Sequence, residues 1–199
     1  LLYIPWHFPL HKDPNIKGAS LEAEEAFKNQ YPAIYNHLLN FKTELSNRNQ
    51  AETGIRYEWY ALQRWGANYM DDFFRPKVMW KIIGSNINFC YDEESHMCNN
   101  AVNIMIGSET HLINFIGLMN SKLYDWYLKL TTTAEVQGGG VQLYSTVLEN
   151  ILVNLNLPFE INDLIISRLN NIDLDNYLNN ILYKYFQLTN EEIEFINSQ

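Results

Sequence analysis

The chain has 199 residues, 47% of them hydrophobic, 19% charged and 14% aromatic, with a formal net charge of -9. That apolar and aromatic content is enough to build a core, which excludes wholesale disorder, and it fits neither a collagen-like nor a coiled-coil composition. No apolar run reaches the roughly 18 uncharged residues of a membrane-spanning helix, two cysteines are too few for a disulfide scaffold, and Leu1-Leu2-Tyr3 has neither an initiator Met nor a basic head before an apolar core. The expectation is a soluble, cytoplasmic protein with no membrane partner, and a fragment of a longer one.

Charge is spread unevenly. Twelve of the fourteen Lys and Arg precede residue 131, whereas nine of the twenty-three Asp and Glu follow it. Neutralising phosphates takes cations, so the tail is a poor surface for nucleic acid. Residues 55–81, with Arg56, Arg64, Arg75, Lys77 and Lys81 against Glu58, Asp71 and Asp72, leave room for a locally basic face.

Along the chain, residues 1–17 mix Pro5, Pro9 and Pro14 with large apolar side chains, predicting an irregular, packed lead-in. Ser20 followed by Glu22, Glu24 and Glu25 predicts a helix N-terminus, where a hydroxyl and carboxylates meet unpaired amides. Pro32 should interrupt that helix. From Ala33, the three- and four-residue spacing of Ile34, Leu38, Phe41 and Leu45 predicts one amphipathic helix to about Arg48.

Residues 55–65 (IRYEWYALQRW) are dense in aromatic and basic side chains and show no clear period. The runs KVMWKII at 77–83 and INFCY at 87–91 predict two strands joined by a turn at Gly84-Ser85-Asn86, and 101–106 predicts a third. Residues 112–130 return to helical periodicity for about five turns, and 148–157 read as one more strand. Helices follow over 161–197, the last started by Thr189-Asn190-Glu191-Glu192. The class is α+β, a small and mainly antiparallel sheet with flanking helices and a helical C-terminal tail.

Chemistry is sparse. The glycine cluster Gly138-Gly139-Gly140 lacks phosphate-loop spacing and a following Gly-Lys-Ser/Thr. A turning or flexible loop is one reading of it; the other is a loop that lets backbone approach a ligand while Gln137, Gln142 and Tyr144 offer uncharged hydrogen-bonding groups, Gln being suited to adenine edges. His7 and His11 straddle Pro9 without the Glu of a zincin motif, and Cys90, His96 and Cys98 have no fourth ligand, so no metal site is assigned. Cys90 reads as a small buried hydrophobe in mid-strand, and Asp92-Glu93-Glu94 as a solvated turn. No catalytic constellation assembles.

Taken in order, YPAIYNHLLNFKTEL at 31–45, FFRPKVMWKI with NFCYDEES, NSKLYDWYLKL, and GGGVQLYSTVLENILV form a series. It resembles the TaqI-like C-terminal specificity domain, the target-recognition domain of type IIG restriction-modification enzymes and adenine-specific DNA methyltransferases. The resemblance runs over 31–157, and residues 183–193 resemble the ends of such enzymes. It implies an irregular and helical lead-in at 1–30, the specificity domain at 31–157, and a helical C-terminal tail at 158–199.

The resemblance further implies a domain that grips double-stranded DNA and selects the sequence in which an adenine is flipped out for methylation. A methyltransferase domain of the same polypeptide would do the chemistry. No catalytic residue and no cofactor is then expected in this fragment, while S-adenosylmethionine, and Mg where a nuclease is present, belong to the parent; the family's Asn-Pro-Pro-Tyr tetrapeptide is absent. Arg75, Lys77 and Trp80 match the family's Arg/Lys-Pro-Lys-aliphatic-aromatic strand, and Gly138, Gly139 and Gly140 its Gly-rich segment.

The candidate DNA contacts are Arg75, Lys77, Trp80 and Lys81 on the strand, and Gln137, Gly138, Gly139, Gly140, Gln142 and Tyr144 around the loop. The lysines would position phosphates, and Gln137, Gln142 and Tyr144 would reach base edges; against this, Trp80 and Tyr144 also suit a core and the lysines an ordinary surface. The alternative function is a protein-interaction or scaffolding domain of a larger complex, which an acidic, Asn-rich tail with amphipathic helices would suit.

Overall fold

The computed structural model describes residues 2–84, 88–131, 135–136, 140–170 and 174–199, in two units, Leu1–Met70 and Asp71–Gln199. In the first unit the Ser20 hydroxyl accepts from Ala23 N–H and starts α1 (Leu21–Gln30), with Glu22 and Glu24 beside the free amides. Pro32 opens α2 (Pro32–Leu39) at a position whose N–H a helix leaves free anyway. The single helix expected to reach Arg48 is split. The Asn40 side chain donates to His37 O, the chain turns, and α3 (Lys42–Ser46) follows. Ile34, Leu38 and Leu45 still pack on the core, while Phe41, at the break, is exposed.

Residues 57–61, without a readable period, supply the centre of that core: Tyr57, Trp59, Tyr60 and Ala61 pack with Ile4, Phe27 and Tyr35. Glu58 is buried among them and accepts from the backbone N–H groups of His7 and Ser20, so one carboxylate ties down the irregular lead-in. Arg48 donates to the carbonyls of Trp59 and Ala61, satisfying backbone that no ladder reaches.

A 3-10 turn at Met70–Phe74 opens the second unit and leads into β1 (Lys77–Lys81) and β2 (Ile83–Gly84), its first residue being the last of the first unit. Strand β1 lies between β3 (Phe89–Asp92) and β4 (Val102–Ile106), antiparallel to both. Alternation sends Val78, Trp80 and Phe89 into the core. Cys90 therefore points to the opposite face and is exposed, correcting its reading as a buried hydrophobe. A second sheet has the order β2-β6-β5, with β5 at Glu135–Val136 and β6 at Gly140–Gln142.

The helix expected over 112–130 is two, α4 (Glu109–Met119) and α5 (Lys122–Thr131). At the break Asn120 exchanges two hydrogen bonds with the backbone of Phe89, accepting at 2.9 Å and donating at 2.7 Å, and so stands in for a neighbour along the edge strand β3. Residues 148–157 are not a strand but α6 (Ser145–Leu148) and an extended segment. Their alternation is real, with Ile151, Val153, Leu155 and Leu157 against the core and Leu152 84% exposed. Their carbonyls are met by side chains instead of a ladder, Leu152 O by the Tyr124 hydroxyl and Leu155 O by the Asn114 amide.

The tail forms α7 (Phe159–Asn170), α8 (Asp175–Tyr185) and α9 (Asn190–Asn197), the last started by a capping box between Thr189 and Glu192. Ile161, Ile165, Leu178 and Leu182 share one core with α4 and the sheet. The architecture is α+β, small antiparallel sheets with flanking helices and a helical tail.

Candidate nucleic-acid interface

Leu143, directly after β6, is fully buried. Its N–H donates to Ile82 O at 2.7 Å, and its carbonyl accepts from the Trp80 indole at 3.0 Å. These two bonds clamp the β6 strand to the end of β1. With Leu143 pointing inward, Gln142 and Tyr144 are directed outward by the two-residue period. Tyr144 is 46% exposed, and the Gln142 amide donates to its hydroxyl. The β2–β6 register pairs Ile83 with Gln142 and Gly84 with Val141; continued through the Leu143–Ile82 bond, it brings Tyr144 toward the Lys81 end of β1. Lys81 is exposed.

Trp80, by contrast, is a core aromatic whose indole is spent on the Leu143 carbonyl. Lys77 is also fully buried, and its ammonium donates to Phe73 O at 2.8 Å and pairs with Asp92. An ammonium committed in this way has no free face for a phosphate, which corrects the reading of Lys77 as an ordinary surface cation. Arg75 is exposed and sits 3.4 Å from Asp72, a surface pair that holds it loosely. Gly140 pairs with Val136 in the antiparallel β5–β6 ladder. Gln137, Gly138 and Gly139 lie outside the described residues.

Asp92, expected in a solvated turn, is the buried counter-ion of Lys77. It also bonds the His96 ring at 2.6 Å and accepts from the Glu94 and His96 backbone N–H groups. Burial alone would push its carboxyl up; the bonds from His96, Lys77 and Glu94 outweigh that and hold it at about 2. The same bond raises the exposed His96 imidazole above its ordinary value. The signal that would have placed Lys77 indoors is its position opening the apolar run Val78-Met79-Trp80, with an acid in register on the next strand.

The aromatic run of the first unit is mostly inaccessible, since Tyr57, Trp59 and Tyr60 are core residues; Arg56 stays outside, over the Trp6 ring at 5.4 Å and paired with Glu52. Among the described residues no group of three or more His, Cys, Asp or Glu is placed to hold a metal, and no helix is long and apolar enough to cross a membrane.

The family model for the TaqI-like C-terminal specificity domain matches residues 14–153, well over half of the chain. The chain belongs to this family. Comparison with curated proteins yields no match. The TaqI-like family is one of DNA specificity domains of restriction-modification enzymes, so the chain carries a target-recognition module of a larger enzyme. The matched residues include both sheets, α4, α5 and the Leu143 anchor, and they end before α7.

Proposed function

We propose that this TaqI-like domain is the DNA-reading part of a type IIG-like restriction-modification enzyme of the cytoplasm, directing adenine methylation, and cleavage where a nuclease is present, by domains outside this chain. A methyltransferase domain of the same polypeptide binds S-adenosylmethionine, and any Mg serves the nuclease. The observation that carries the reading is family membership over residues 14–153, joined to an outward Gln142–Tyr144 pair anchored by buried Leu143.

In this reading Lys81 and Arg75 position phosphates, while Gln142 and Tyr144, together with Gln137 and the Gly138–Gly140 segment of the sequence, meet base edges. Lys77 and Trp80 are positioning residues that hold β1 and β6 in place. Duplex binding measured against salt concentration tests the reading, because each phosphate contact releases counterions. Affinity should fall steeply with salt, and Lys81→Ala should flatten the log–log slope by about one unit for all sequences alike. Binding that ignores salt contradicts the proposal, and an unchanged slope removes Lys81 from the interface.

A further inference from the structure

Helices α5 and α9 leave a groove of about 280 Å³ between them, with Leu123 and Trp126 on one wall, Phe195 and Ile196 on the other, and Leu188 at its end. Most large apolar side chains of the second unit turn into its core, but Phe195 is 53% exposed and meets Trp126 edge-on with ring centres 6.1 Å apart. The rim is acidic. Glu191 and Glu192 border the groove; Glu192 is engaged in capping Thr189, and Glu191 faces solvent. Of the lysines on α5, Lys129 is paired with Asp125, while Lys122 donates to the neutral Asn197 amide at the end of α9 opposite Glu191.

We propose that the α5/α9 groove docks a short segment of a separate protein, one that presents a bulky apolar side chain flanked by Lys or Arg. The apolar walls supply a pocket for one anchor side chain, the usual centre of a protein interface. Charge complementarity selects what surrounds it: after residue 131 the chain has nine acids and two basic residues, so phosphates are repelled and basic partners attracted. Leu188, Glu191, Glu192, Phe195 and Ile196 lie outside residues 14–153, so the α9 wall and acidic rim of the groove are additions to the DNA-recognition match, whereas Leu123 and Trp126 on α5 fall within it.

The test uses the full chain and three synthetic amphipathic peptides of about twelve residues, titrated by NMR with the Trp126 indole resonance assigned. The first carries Leu on one helical face and Lys elsewhere, the second replaces Leu by Ser, and the third replaces Lys by Glu. The Leu/Lys peptide should shift the Trp126 resonance, and the other two should bind at least about tenfold more weakly, since each lacks one half of the recognition. Phe195→Ser and Glu191→Lys should each weaken the Leu/Lys peptide by about tenfold as well; Glu191→Lys, on the exposed rim, keeps the test open if Phe195→Ser does not fold. Equal binding of the Ser peptide, shifts confined to other residues, indifference to Glu191→Lys, or a shift of Trp126 by duplex DNA would each overturn the proposal.

Discussion

Lys77 and Asp92 face each other in register across β1 and β3 as a buried ion pair. Two ions taken out of water cost more than their attraction returns unless further hydrogen bonds complete them. Here the Phe73 carbonyl completes the ammonium, and His96 with the Glu94 and His96 amides completes the carboxylate. The pair therefore fixes the start of the strand that ends in Lys81.

Asp92→Asn should lower stability by about 3–5 kcal/mol, because it strands the Lys77 ammonium in the interior. In denaturant titrations the double change Lys77→Met with Asp92→Leu should recover most of that loss, as apolar replacement of a whole buried pair often does. Equal losses in the single and double variants would mean that packing, not charge, is at stake.

The same carboxylate gives a pH signature. Its folded value of about 2 lies below the ordinary 3.8, so its contribution is complete above the ordinary value and is lost as pH falls from there through about 2. Melting curves should show the gap between wild type and Asp92→Asn closing as pH drops below about 4. His96 acts in the opposite sense: its raised value favours the folded state below the ordinary 6.5, and that contribution fades as pH rises above it.

Gly117 lies where α4 crosses α7, and a Cβ there would come within 2.4 Å of the Ile165 side chain, which is fully buried. Helix propensity alone favours Gly117→Ala by about 1 kcal/mol. Overpacking should win, with a net loss of about 1–3 kcal/mol in chemical denaturation. A stabilised variant would mean that the α4–α7 contact yields easily.

Gln187 closes α8 in the left-handed region, with φ of 56°, while Leu188 N–H donates to Tyr183 O and Gln187 N–H to Lys184 O. That is a Schellman ending, in which glycine is the preferred residue. Gln187→Gly should therefore raise stability by about 1 kcal/mol, visible as a higher melting temperature. An unchanged or lower value would place the strain elsewhere.

What could be read from the chain was local. Ser20 and the Thr189–Glu192 box act within a few residues, and strand alternation from Lys77 to Ile106 is a property of neighbours. What the sequence pattern does not disclose depends on distant partners. Asn120 breaks an otherwise continuous helical pattern because Phe89, far back in the chain, takes its side chain. Residues 151–157 alternate like a strand, but Tyr124 and Asn114 meet their carbonyls in place of a neighbouring strand. Lys77 reads as surface by residue type, and only the register with Asp92 brings it inside. Gln142 and Tyr144 are candidates by their chemistry, and the burial of Leu143 between them explains their outward direction.

The most direct measurement is methylation profiling of the reconstituted parent enzyme across randomised targets, with Gln142→Ala and Tyr144→Phe beside wild type. Losing one bidentate base contact costs about 1–3 kcal/mol of discrimination, so on this account Gln142→Ala should relax one target position by roughly 5- to 150-fold, and Tyr144→Phe, which removes a single hydroxyl, should relax a position by less, with S-adenosylmethionine binding intact in both. Parental specificity retained at every position in both variants would contradict it.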